Sequence, residues 1–231
     1  MKKLATGVLI LAFALIGAPL LAQMGMGSMP SFNGIWSPVV GGGAVYEMVS
    51  SKDNQKTSMT IAIVSKDTVD GKEGYWVEMQ VTGSNGPMVI QSFMVKDGEQ
   101  VTTTKFIFQV PGRGPMEMSA QTMGMMGGRG GGTPPPTSAA ADIRSKGTVV
   151  GNESVTTPAG TFDCSHWRST DGADQAWISP KVTPWALVKA SGQYGSMTLT
   201  KVLTDAKSHI TGTPVNMDDM LRGRGPGGPG R

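Results

Sequence analysis

The residues best suited to chemistry in this chain are one cysteine, two histidines and a large supply of methionine. Cys164 and His166 sit two apart in a run with strand character, so alternation points both to one face. That spacing permits half of a zinc site or a thiolate–imidazole pair. Further ligands would have to be carboxylates, because the remaining histidine is the distant His209. A strand cysteine is more often a small core residue, which is the plainer reading here. The 17 methionines cluster as MGMGSM, MEM and MGMM. Thioethers bind Cu(I), but neither histidine lies in a methionine cluster, and methionine is also a flexible filler.

Other reactive patterns are missing from the sequence. It has no Gly-x-Ser-x-Gly elbow, no His-Glu-x-x-His and no phosphate loop ending in Gly-Lys-Ser/Thr. Asp171/Asp174 and Asp218/Asp219 fall in turn-like or tail segments and read as solvated carboxylates. The GGRGGG and RGRGPGGPGR runs resemble Arg-Gly segments of nucleic-acid-binding proteins but carry few charges. The expectation is therefore no catalytic residues, no cofactor, no metal centre and no nucleic-acid partner.

The elements that would position any site are strands. Met59, Ile61 and Ile63 share a face in Thr57 to Lys66. Tyr75, Val77, Met79 and Val81 alternate with polar residues in Gly74 to Thr82. Val45 to Ser50, Met88 to Val95 and Gln100 to Val110 extend the series, with Phe106, Phe108 and Val110 on one face. Asp70-Gly71, Asn85-Gly86 and Asp97-Gly98 supply the turns. Residues 111–138 break the pattern with a low-complexity Met/Gly/Pro insertion, too poor in core-forming residues to pack. Short helices over Met116 to Met126 and near Ser138 to Lys146 fit its composition. The sheet resumes as Thr148 to Val150 and Glu153 to Thr156 around a Gly151-Asn152 turn. Thr161 to Ser169, Gln175 to Ser179, Trp185 to Ser191 and Ser196 to Thr204 complete it. The two meanders read as halves of one sheet.

The ends read as processing and tail segments. Lys2 and Lys3 precede an apolar stretch from Leu4 to Leu21, and Ala22 offers a small residue for cleavage, so residues 1–22 read as a signal peptide. The break at Gly17-Ala18-Pro19 argues against a membrane anchor, leaving no transmembrane span after cleavage. Export places the chain in the periplasm or outside a bacterial cell. Of 20 basic residues two go with the signal, leaving 18 against 17 acidic ones, so no strongly basic surface is expected. With a single Cys there is no internal disulfide, and apolar burial must hold the fold. Residues 23–33 form a flexible Met/Gly arm, 34–215 one β domain, and 216–231 a disordered Gly/Arg/Pro tail.

The stretch from Thr157-Pro158-Ala159-Gly160-Thr161-Phe162 through the Cys164 strand, Trp177-Ile178-Ser179 and Val182-Thr183-Pro184 to Leu187-Val188-Lys189 resembles a group of exported bacterial proteins of unknown function. GGGAVYEM and GYWVEM, ending at Met48 and Met79, share that look, and matches spread over most of residues 34–215 outside the insertion. The group is similar in turn to the periplasmic lipoprotein-carrier (LolA/LolB-like) half-barrel. That resemblance implies a mainly β fold, a curved antiparallel half-barrel or open barrel closed by one or two short helices, with a groove for acyl chains.

Read from the residues alone, Met59, Ile61, Ile63, Tyr75, Val77, Met79, Phe106 and Phe108 line one concave apolar face. It is either an open site for a lipid or other apolar ligand, or a filled core. Three roles follow as expectations: a non-enzymatic exported protein binding a hydrophobic ligand or an envelope partner, a Cu(I)-handling protein using its Met-rich segments, or a structural module of the envelope with no small ligand.

Overall fold

The computed structural model describes residues 34–83, 86–98, 100–109, 112, 114–129 and 143–222. The expected signal peptide, the Met/Gly arm, residues 130–142 and residues 223–231 lie outside them. Among the described residues twelve strands form one sheet: β1 Gly43–Ser50, β2 Lys56–Val69, β3 Lys72–Gly83, β4 Gly86–Asp97, β5 Gln100–Gln109, β6 Met116–Ser119, β7 Gly147–Thr157, β8 Gly160–Ser169, β9 Gln175–Ile178, β10 Leu187–Gly192, β11 Gly195–Leu203 and β12 Val215–Asn216. Their order is β12-β6-β5-β4-β3-β2-β1-β11-β10-β9-β8-β7, and the sheet stays open. All neighbours are antiparallel except β12 and β6. Three short helices accompany it: α1 Ala120–Arg129, α2 Ile143–Lys146 and α3 Met217–Arg222. The fold is mainly β, a curved and unclosed antiparallel sheet, as the alternation and the turns require.

The sequence explains the strands and the curl. Asp70 and Gly71 both take positive φ (51° and 75°), which a tight β2–β3 hairpin needs. Register slips at Val45/Tyr46, Ile63/Ser65, Phe93/Met94, Val149/Gly151 and Leu187/Lys189. Each slip is a bulge that adds twist and bends its strand. The result brings Val77 of β3 and Phe162 of β8, six strands apart in the order, into one apolar cluster. The two meanders are halves of one sheet, joined where β1 pairs with β11 from Gly43↔Leu203 to Ser50↔Gly195.

Several local expectations need correction. Met116 to Ser119 is a strand, because Met116 and Met118 alternate opposite Phe108 and Phe106 of β5, and the helix starts only at Ala120. The insertion does bury apolar surface: Met123 is 9% exposed, against Met88, Ile90 and Phe106. Gly151-Asn152 is no turn; β7 runs through it with a bulge at Val150. Residues beyond Asn216 are not wholly a structureless tail, since Asn216 Oδ1 accepts the amides of Asp218 (2.9 Å) and Asp219 (3.2 Å) and so caps α3. Asp218 is not merely solvated, since its carboxylate accepts the Ser119 amide at 3.1 Å. Asp174, expected in solvent, is buried.

Candidate functional site

Cross-strand register places all eight apolar site residues on one face. Met59, Ile61 and Ile63 oppose Val81, Met79 and Val77; Tyr75 and Met79 oppose Met94 and Ile90; Ile90 opposes Phe108, and Ser92 opposes Phe106. This is the inner face, because the clusters enclosed by the curl contain them. The face is not evenly covered. Over β1, β2 and the start of β3 it is packed by Trp36 and by the 179–186 loop, with Trp36 4.7 Å from Trp185 and 6.1 Å from Tyr75. Met59, Ile61, Ile63 and Val77 are buried there. Over β4 to β6 the cover is α1 through Met123, and Phe106 is buried beneath it. Tyr75 and Met94, packed against the first cluster, Phe108 and Met118, packed against the second, and Met79, packed against both, stay half-buried. The indole Nε1 of Trp36 is buried at this face with no hydrogen-bond partner among the described residues.

Two shallow clefts lie elsewhere. One of about 490 Å³ is lined by Asn152, Glu153, Ser154, Asp163, Cys164, Ser165, Ile178 and Pro180. The other, about 330 Å³, lies over β1 and β2 beside Glu47 and Lys56. Neither includes any of the eight expected residues.

Cys164 and His166 are near neighbours but do different work. Cys164 is buried and its thiol donates to the Phe162 carbonyl at 3.5 Å. Burial, helped by the negative charges of Asp163 and Glu153, pushes the thiol up to about 11. His166 instead stacks on Trp177 (4.5 Å, 14°), places Nδ1 3.1 Å from Glu153 and Nε2 2.9 Å from Gln175. Trp177 Nε1 donates to Glu153 at 2.5 Å, and Lys189 lies 4.9 Å above the indole. These contacts tie β7, β8, β9 and β10 together along one registered row, Gly151↔His166↔Trp177↔Lys189. No group of three His, Cys, Asp or Glu suited to a metal occurs among the described residues.

Sequence reasoning missed the outer face of β3 to β5. The chain leaving β11 crosses it as a strap, residues 204–214, before β12 pairs with β6. Buried Glu78 accepts from Gln91 Nε2 (2.8 Å), Gln80 Nε2 (2.8 Å) and the His209 amide (2.9 Å), and its Oε1 is 2.7 Å from His209 Nδ1. Gln91 also donates to Ser208 (2.6 Å), and Gln109 exchanges two bonds with Thr211 at 2.8 Å. The signal was present: Glu78, Gln80 and Gln91 are polar residues on a face that still carries Val89 and Ile107. Nothing local announced that a segment more than a hundred residues away would cover them.

No family model matches the chain, and no curated protein matches it. Among solved structures it is similar to a candidate lipoprotein from Parabacteroides distasonis, at 15% identity and a TM-score of 0.35, over 74% of this chain and 99% of that one. It is also similar to a candidate exported protein with YmcC-like fold from Bacteroides fragilis, at 10% identity and a TM-score of 0.34, again over 74% and 99%. Likeness at this level carries no argument about the role of this chain.

Proposed function

We propose that this is an exported, non-enzymatic protein that holds an apolar ligand, or an apolar segment of an envelope partner, along the inner face of its sheet. The observation that carries the reading is the half-buried strip of Tyr75, Met79, Met94, Phe108 and Met118 on that face, with Met79 packed against both clusters. It is apolar surface left partly in water, which an acyl chain or a nonpolar peptide would cover. The Lys-Lys start and the Leu4 to Leu21 stretch support export. The packed thiol of Cys164 and the carboxylate- and amide-bound histidines support a role without catalysis.

Fluorescent fatty-acid uptake by the purified mature protein, with native mass spectrometry of protein from a gentle preparation, tests this. Saturable uptake is expected, and Phe108→Asp should weaken it about tenfold by placing a charge in the strip. A protein that carries no lipid and takes up no probe contradicts the small-ligand reading and favours an envelope module whose inner face meets a protein segment or nothing.

A second reading, Cu(I) handling, has one observation in its favour. Met79, Met88, Met118 and Met123 gather in the same cluster. Four thioethers together are a soft donor set. Titration with Cu(I) against a competing chelator decides it: affinity unchanged in a Met118→Leu/Met123→Leu double variant sinks the copper role.

A further inference from the structure

The two edges of the sheet are built differently. β12 is two residues long and passes at once into α3, so it offers almost no template for another strand. β7 is eleven residues long and pairs only with β8 among the described residues. Residues 148–154 are all exposed, with Val149 51% and Val150 46% accessible. Edge strands in monomers are usually guarded by lysine, proline or shortness. GTVVGNESVTT has no lysine, arginine or proline, and six of its eleven residues are β-branched. Its single charge, Glu153, is held by Trp177 and His166 of its own sheet. The bulge at Val150 ends the regular ladder, so the usable edge is Gly151 to Thr157.

Register fixes which backbone groups this edge presents. Thr157 and Gly160 flank the two-residue Pro158-Ala159 turn and pair with each other. In such a hairpin the flanking pair is hydrogen-bonded, and the pattern alternates from there. Val155 and Glu153 therefore aim their amides and carbonyls at β8. Asn152, Ser154 and Thr156 aim theirs outward.

We propose that this edge docks a second copy of the chain, β7 against β7 antiparallel, with the two-fold axis at Ser154. In that register Ser154 faces Ser154 of the other copy, Asn152 faces Thr156, and every outward amide and carbonyl of the three residues gains a partner. The side chains opposed on one face are hydroxyls and an amide, which pair by hydrogen bonding across antiparallel strands. On the other face Glu153 lies opposite Val155 rather than opposite its own copy, so like charges are offset diagonally. The strand is its own complement. The contact is one strand wide, which belongs with interfaces below about 1,200 Å² and makes the dimer weak and reversible.

Sedimentation velocity on the mature protein from about 10 to 500 μM tests this by mass action. A concentration-dependent dimer is expected. Ser154→Pro removes an outward amide while sparing the ladder to β8, and should sediment as a monomer with an unchanged circular dichroism spectrum. Ser154→Lys sets two like charges directly opposite and should also be monomeric; mixing it with Ser154→Glu should restore the dimer. A wild type that is monomeric throughout, variants that dimerise like wild type, or a Lys/Glu mixture that stays monomeric would each overturn the proposal.

Discussion

At the scale of single residues, Cys164 is governed by what surrounds it. Its thiol is neutral when protonated, and burial favours that form, raising it from 9.0 to about 11. The buried phenol of Tyr46, which donates to the Leu187 carbonyl at 2.9 Å, is pushed up for the same reason. The sign of the effect on stability follows. Below about pH 8 the thiol is protonated in both the folded and the unfolded chain and contributes no slope. As pH rises through 9.0 only the unfolded chain ionises, so folding loses stability until the folded thiol itself ionises near 11. The loss approaches about 2 kcal/mol. Urea midpoints at pH 8 and pH 10.5 should therefore fall further for the wild type than for Cys164→Ala, in which Tyr46 still titrates. Equal slopes would remove the thiol from the account. The same burial keeps Cys164 slow to react with thiol reagents until the chain unfolds.

At the scale of elements, the strap over β3 to β5 depends on one buried carboxylate. Glu78 supplies the acceptor for two glutamine amides and for the His209 backbone. Glu78→Ala leaves those donors facing a void, and each unsatisfied buried donor costs roughly 1–3 kcal/mol. The expected loss is about 3 kcal/mol, with faster hydrogen exchange at residues 208–211 and proteolytic cutting within residues 204–214. Glu78→Gln keeps one acceptor oxygen and should fall between the two. Unchanged exchange in the alanine variant would mean that Gln109 and Thr211 hold the strap without it. Elements of this kind mark the limit of what the chain discloses locally. β2, β3 and β8 were legible because alternation and Asp-Gly or Pro-Ala-Gly turns are encoded within ten residues or so. β6 was not, because four residues of MEMS take strand form only when Phe106 and Phe108 of β5 are already in place. Parity alone puts the eight apolar residues on one face, since β alternation survives most local distortions. Their division into a buried set and a half-buried set was not legible, because Trp36, Trp185 and Met123 reach that face from distant segments.

At the scale of the whole molecule, the two meanders share one sheet and one main apolar cluster. The β1–β11 ladder joins residues about 150 positions apart, and the loop holding Pro184 and Trp185 reaches back to the N-terminal segment. Ser37 donates its amide to the Pro184 carbonyl at 2.7 Å, and the Thr183 hydroxyl donates to the Ser37 carbonyl at 2.7 Å. Tyr46 of the first half bonds the Leu187 carbonyl of the second. The main core draws Met59, Ile63 and Val77 from the first half and Phe162, Val182, Val188 and Leu199 from the second. Residues 34–129 alone would expose both the β1 edge and that shared core, and strands joined so late in sequence fold slowly. Denaturant unfolding should accordingly be a single transition, with far-ultraviolet circular dichroism and tryptophan fluorescence coincident. Tyr46→Phe should shift both probes together by about 1 kcal/mol, because it removes a hydrogen bond between the halves without leaving a cavity. Two separated transitions, or a shift in one probe alone, would show that each half has a core of its own, and the inner face would then be a boundary between domains rather than the lining of one curved sheet.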